Sequence, residues 1–302
     1  MAACEYTTQE SVTREWDSVA GNWDDLAGRS NTSLLQRLVS LPIVSSILFD
    51  HDDDDDNDND DNKNGPTNHH SNKQHEATPT MNENSTPKKT ILDFGCATGL
   101  LTERLRTLEH RMSSSLSYRF VCVDASPSMI DMLQDKIQAG EWDNVEAHCF
   151  TIARYATILT NDNKIQQSDD GVYNRSPLMT NNGANTVLKQ LQNQVDCIIA
   201  SSVLAFIPKQ DLTTTMQILA SLLKPNSGIL VHTDWPWSEI DHPNGFNKLQ
   251  IETMYESADL QPYSIEQITL DMGGSFGQAA VWLGIARRKE STLIRTEGGP
   301  DV

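Results

Sequence analysis

The chain has 302 residues, enough for one large α/β domain with its own core. Its formal net charge is −19, and residues 50–61 alone hold nine aspartates, so the remainder carries −10. An acidic surface repels a phosphate backbone, which argues against nucleic acid as a partner and favours a small or cationic substrate.

No apolar run is long enough to span a bilayer, so no membrane partner is expected. The stretch "MAACEYTTQESVTREWD" lacks the basic start and apolar core of a secretory signal. None of the five cysteines, at positions 4, 96, 122, 149 and 197, forms a C-x-x-C pair, and the last three sit in apolar, strand-like runs. Reduced thiols packing as small hydrophobes point to a cytoplasmic setting.

Residues 1–49 form an N-terminal helical cap. Trp16, Val19, Ala20 and Trp23 recur at helical spacing, and "LLQRLVSLPIVSSILF" continues the apolar pattern. Residues 50–88 are Asp, Asn, His, Lys, Ser, Thr and Pro with almost no large apolar side chain. Such a segment cannot bury enough surface to offset its ordering entropy, and it reads as a disordered insert. Its acids and histidines read as a solvated face, and no metal site is expected.

From residue 89 to 290 the chain alternates. Strands are expected at 90–94, 118–124, 145–150, 195–201 and 228–234, and helices at 99–109, 127–138, 211–223 and near 247–258. "YSIEQITLDM" and "QAAVWLGIARR" add two strands joined by "GGSFG". Polar residues 160–194 read as a flexible insertion, and 291–302 as a disordered tail. The fold class is α/β: a Rossmann-like, seven-stranded, mostly parallel sheet with helices on both faces and an antiparallel C-terminal hairpin.

In such sheets ligands bind at the carboxyl ends of the strands, where strand order reverses. Asp93 ends the first strand, and Gly95 and Gly99 bracket the turn "GCATG". Glycines there permit positive φ and close approach, and the helix beginning near Thr98 aims free N–H groups at a ligand. Neither the dinucleotide fingerprint nor the Walker pattern is present. A second acid, Asp124, ends the second strand and is placed to accept from two ribose hydroxyls. Ser126 then caps a helix, Pro127 takes its first position, and Met129 is available to lie on a purine face. One loop and one ribose acid suggest an adenosine ligand without a pyrophosphate.

With these residues in view, the chain resembles class I S-adenosylmethionine-dependent methyltransferases of the small-molecule, type 11/12-like kind. The family motif D-x-G-x-G-x-G is similar to "DFGCATG", with Ala97 in place of the middle glycine. "VDASPSMIDML", "VDCIIASSVLAFI" and "LLKPNSGILVHTD" resemble the family's second-, fourth- and fifth-strand motifs, and "WDSVAGNWDD" its N-terminal cap. The resemblance covers residues 14–49 and 89–288. It implies that Asp93, Gly95, Cys96, Ala97 and Gly99 hold the methionine part of S-adenosylmethionine. It implies also that Asp124 holds the ribose, Ala125 and Met129 the adenine, and Ser201 and Ser202 the methyl-donor pocket. Trp16 and Trp23 would help close the site from above, under a lid made by residues 10–49 and the 234–246 loop. The chain departs from the family after the third strand, where Thr151 stands for an acid, and after the fourth, where Ala205 and Phe206 stand for a histidine.

Methyl transfer from a sulfonium is an in-line displacement, and a base is needed only if the acceptor carries a proton. His232, at a position whose face depends on register, and Asp234, at the strand end, are the catalytic candidates. Trp235 and Trp237 are candidates for an apolar or cation-binding substrate wall, with Asp241 and His242 on the same loop. A short-chain nicotinamide oxidoreductase would need a further loop glycine and a Tyr-x-x-x-Lys pair, and no tyrosine here has a lysine four residues on. The other alternative is a methyltransferase-like binding or scaffold protein without turnover.

Overall fold

The computed structural model describes residues 9–49, 89–112, 118–152, 181–273 and 277–289. The expected insert at 50–88, the first part of the polar insertion, the centre of the "GGSFG" turn and the tail lie outside the described residues.

Three helices open the chain: α1 (Gln9–Val19), α2 (Trp23–Val39) and α3 (Pro42–Phe49), with a 3-10 turn over Ala20–Asn22 between the first two. Then come β1 (Lys89–Phe94), α4 (Leu100–Met112), β2 (Tyr118–Asp124), α5 (Pro127–Ala139) and β3 (Val145–Cys149). The second half runs α6 (Asn181–Leu191), β4 (Cys197–Ser201), α7 (Lys209–Leu222), β5 (Ile229–Asp234), α8 (Lys248–Ser257), β6 (Leu260–Gly273) and β7 (Gly277–Arg288).

The strands form one sheet in the order β3-β2-β1-β4-β5-β7-β6. Strands β1 to β5 pair in parallel, while β7 runs antiparallel to both β5 and β6. The order reverses between β1 and β4, so a ligand crevice opens at their carboxyl ends. Strand residues alternate between two buried layers, as the two-residue period of a strand dictates. Ile91, Phe120, Ile199, Val231 and Leu283 pack beneath α2 to α5. Leu92, Val121, Ile198 and Leu230 pack beneath α6 to α8.

Two expectations are corrected. Residues 181–191, assigned to the flexible insertion, form α6, and it buries Val187, Leu188 and Leu191 in the second layer. The N-terminal cap does not act as one lid. Leu34, Leu35, Leu38, Val44 and Leu48 pack into the first layer of the core. Only α1, the 3-10 turn and the first turn of α2 reach the crevice.

Candidate functional site

The β1–α4 turn takes its shape from three residues in the left-handed region: Gly95 (φ 74°), Ala97 (φ 48°) and Gly99 (φ 74°). Ala97 adopts the backbone that its motif position demands, and for a residue with a Cβ this conformation costs about 1–2 kcal/mol. The turn is tied to β2 by Gly95 and Cys96, whose amides donate to the Val123 carbonyl at 2.8 and 3.1 Å. Cys96 contributes backbone only, because its side chain packs in the apolar layer beneath α2 to α5. Burial and the adjacent Cys122 push its thiol well above the ordinary range, so it is no nucleophile.

Two acids flank the turn. Asp93 is 2 % exposed and accepts from the Thr102 hydroxyl at 2.7 Å. Burial raises its pKa to about 6, with Asp124 adding to the rise and Thr102 opposing it. Asp124 accepts the Ala97 amide on Oδ2 and the Ser126 amide on Oδ1, each at 2.9 Å. Burial of its carboxyl pushes the pKa up, against these amide bonds. The Ala125 amide adds a third bond, which leaves the carboxylate one of its four lone pairs to offer. As expected, Pro127 opens α5 and Ser126 caps it, its Oγ accepting the Met129 amide at 3.2 Å.

Above the turn, Ala20, Ala97 and Met129 form a small buried cluster ringed by Trp16, Val19, Trp23 and Met132. Trp16 meets Trp23 edge-on at 5.2 Å and Phe206 at 4.9 Å. Two carboxylates that sequence reasoning missed fasten this cluster. Asp17 accepts the Ser126 hydroxyl and the Ser128 amide, the latter at 3.3 Å, and so supplies an acceptor from outside to the N-terminus of α5. Asp24 accepts the Thr98 hydroxyl and pairs with Lys136 at 2.6 Å. A signal for both was present: each follows a cap tryptophan, and Trp16–Asp17 and Trp23–Asp24 stand seven residues, or two helical turns, apart.

The turn after β4 completes the crevice. Ser202 has φ 55° and donates its amide to the Thr233 carbonyl at 2.7 Å, while the Ser201 hydroxyl lies 3.4 Å from that of Thr233. Val203 lies against Gly95. Thr151 is half-buried just past β3.

The remaining candidates separate from this group. His232 and Asp234 stand on the α7–α8 side of β5, the side of Leu230, and both side chains are wholly enclosed. They hydrogen-bond each other and are not presented to the crevice as a base. Burial raises the pKa of Asp234. Trp235 is stacked on His242 at 4.5 Å, and Trp237 is 54 % exposed. Ala125 lies half-buried at the end of β2, its carbonyl facing the Cys149 thiol at 3.8 Å.

A family model described as a methyltransferase domain matches residues 69–265, about two thirds of the chain. The chain belongs to this methyltransferase family. S-adenosylmethionine is the cofactor of the class I branch, and the site fits it. A Cβ at Gly95 or Gly99 would run into Val203 or Leu133, so these glycines let the turn pack on the β4 turn and on α5, with Asp93 and Asp124 at its flanks.

A curated relative, the methyltransferase tpcH of Aspergillus fumigatus, is 41% identical over 58 residues. That stretch is 19% of this chain and 20% of the relative, so the match spans about a fifth of the relative's length. Among solved structures, a methyltransferase from Aquifex aeolicus, described as dependent on S-adenosylmethionine, is 16% identical with a TM-score of 0.40, over 66% of this chain and 84% of its own. A Methanosarcina mazei protein of the same description is 10% identical with a TM-score of 0.45, over 72% of this chain and all of its own. The family assignment rests on the domain match and the strand order, not on these two. Among the described residues, no helix is long and apolar enough to cross a membrane.

Proposed function

We propose that the protein transfers a methyl group from S-adenosylmethionine to a small-molecule acceptor by in-line displacement. The carrying observation is the convergence of Asp93, the left-handed turn 95–99 and Asp124 at the switch point, beneath a lid fastened by Asp17 and Asp24.

The bound cofactor supplies an electrophilic methyl group on a sulfonium. The chain supplies binding, alignment and exclusion of water. Asp124, held in place by backbone amides, is the acceptor offered to the ribose. Asp93 lies at the methionine end, where an ammonium would stabilise its ionised form. Trp16, Trp23 and Phe206 make an apolar roof that keeps solvent from the reacting atoms. The turn 201–203 lines the side where the methyl group would leave. With His232 and Asp234 enclosed in the core, alignment rather than proton abstraction carries the chemistry. The acidic surface supports a small acceptor over nucleic acid, and the free thiols Cys96, Cys122, Cys149 and Cys197 support a reducing, cytoplasmic setting.

Isothermal titration with S-adenosylmethionine, S-adenosylhomocysteine and NADH tests this reading. Micromolar binding of the two sulfur ligands, without NADH binding, is the expected result. Failure of both to bind would overturn it in favour of a methyltransferase-like scaffold.

A further inference from the structure

Beside the crevice lies a second group of polar side chains that the methyl transfer does not use. Nδ1 of His232 is 2.7 Å from Asp234 Oδ2, and Nε2 is 2.7 Å from the Tyr255 hydroxyl on α8. An ionised Asp234 can only accept, so the bonds then run in one sense: Nδ1–H donates to the carboxylate and the phenol donates to Nε2. Asp234 then accepts the Ala205 amide on Oδ1 at 3.1 Å, and the Leu204 amide as well. A glycine makes the meeting possible. Gly284 of β7 is the register partner of His232, and a Cβ there would stand 2.2 Å from the Tyr255 hydroxyl oxygen and 2.3 Å from His232 Nε2.

Enclosing a carboxylate is costly, and an apolar trio would fill this space without that cost. What the apolar trio could not do is accept the two amides. Those amides belong to the 3-10 turn Leu204–Phe206, which follows the strained Ser202. On one side of this turn Val203 packs on Gly95 of the cofactor loop, and on the other Phe206 packs on Trp16 of the lid.

We propose that Tyr255, His232 and Asp234 are positioning residues. They hold the turn 202–206 in register, so that the cofactor loop and the lid are seated on one fixed piece of backbone. The proposal rests on the methyltransferase reading only in treating residues 95–99 as the cofactor loop.

The test uses the full chain with Tyr255→Phe and Asp234→Asn, and Ile251→Val as control. Ile251 is buried on α8 in the same layer as Tyr255 but touches none of these bonds' donors or acceptors by hydrogen bonding. Two readouts are taken well below melting: hydrogen exchange at the Leu204 and Ala205 amides, and affinity for S-adenosylhomocysteine. Losing the phenol hydroxyl should speed exchange at both amides and weaken affinity roughly fivefold each, and Asp234→Asn should do more. The control should lower the melting temperature and change neither readout. If the two variants behave like the control, the network is mere packing and the proposal falls. Should the wild-type protein bind no S-adenosylhomocysteine, the cofactor reading fails by itself, and exchange at the two amides still decides the network.

Discussion

Replacing Gly95 with alanine probes the contact between the cofactor loop and the turn after β4. The position has φ 74°, a conformation that costs alanine about 1–2 kcal/mol. The new Cβ would stand 2.4 Å from Val203 Cγ2 and 2.6 Å from its Cβ. Val203 is β-branched and stiff at χ1, so the side chain cannot swing aside and the turn must shift. Overpacking of this kind costs about 1–3 kcal/mol, giving about 2–5 kcal/mol in all. Urea unfolding of Gly95→Ala against the wild type measures it. Adding Val203→Gly removes the Cβ and both methyl groups that the new Cβ meets but leaves the φ strain at residue 95, so the double variant should show coupling of about 1–3 kcal/mol. A Gly95→Ala loss below about 0.5 kcal/mol, or strict additivity in the cycle, would refute the reasoning.

Three further outcomes are expected. Asp124→Asn keeps the side chain's shape but removes a charged acceptor, so S-adenosylhomocysteine should bind roughly 10- to 100-fold more weakly by titration calorimetry; an unchanged Kd would sink the ribose assignment. Asp93 has a folded pKa of about 6, above its ordinary 3.8, so its unfavourable contribution is absent below the lower value and complete above the higher one. The stability of Asp93→Asn relative to wild type should therefore rise across that window in urea titrations at successive pH values, and a flat difference would remove Asp93 as the cause. Asp17→Ala withdraws an acceptor from the N-terminus of α5, which should cost about 1 kcal/mol and speed amide exchange within 9–22 while leaving β1 to β5 unchanged. Equal exchange in 9–22 would mean that the lid is held elsewhere.

Much of the fold was legible because β1, β2, β4 and β5 are buried on both faces, so each carries a short run of consecutive apolar residues rather than a strict alternation. The cofactor turn was legible for a related reason: few residues besides glycine tolerate its backbone. Composition misled at α6, where a polar start hides Val187, Leu188 and Leu191, three apolar residues on one helical face. Hydrophobic periodicity also favoured the cap tryptophans over Asp17 and Asp24, although the acids make the directional bonds. For His232 the sequence left two faces open. Settling it took the pairing with Gly284, a contact between strands far apart in the chain.

The seat of α2 bears on how the chain assembles. Arg37 binds Glu266 of β6 at 2.7 Å across 229 residues, and Ser33 Oγ accepts the Asp271 amide at 3.2 Å. During synthesis these helices leave the ribosome more than two hundred residues before the strand that receives them. Until β6 emerges and pairs with β7, the apolar side of α2 has only part of its cover. The cap is then a late arrival in folding, closed by a contact of very long sequence separation. Damage to the C-terminal hairpin should accordingly be felt at the N-terminal lid, at the opposite end of the chain from the lesion.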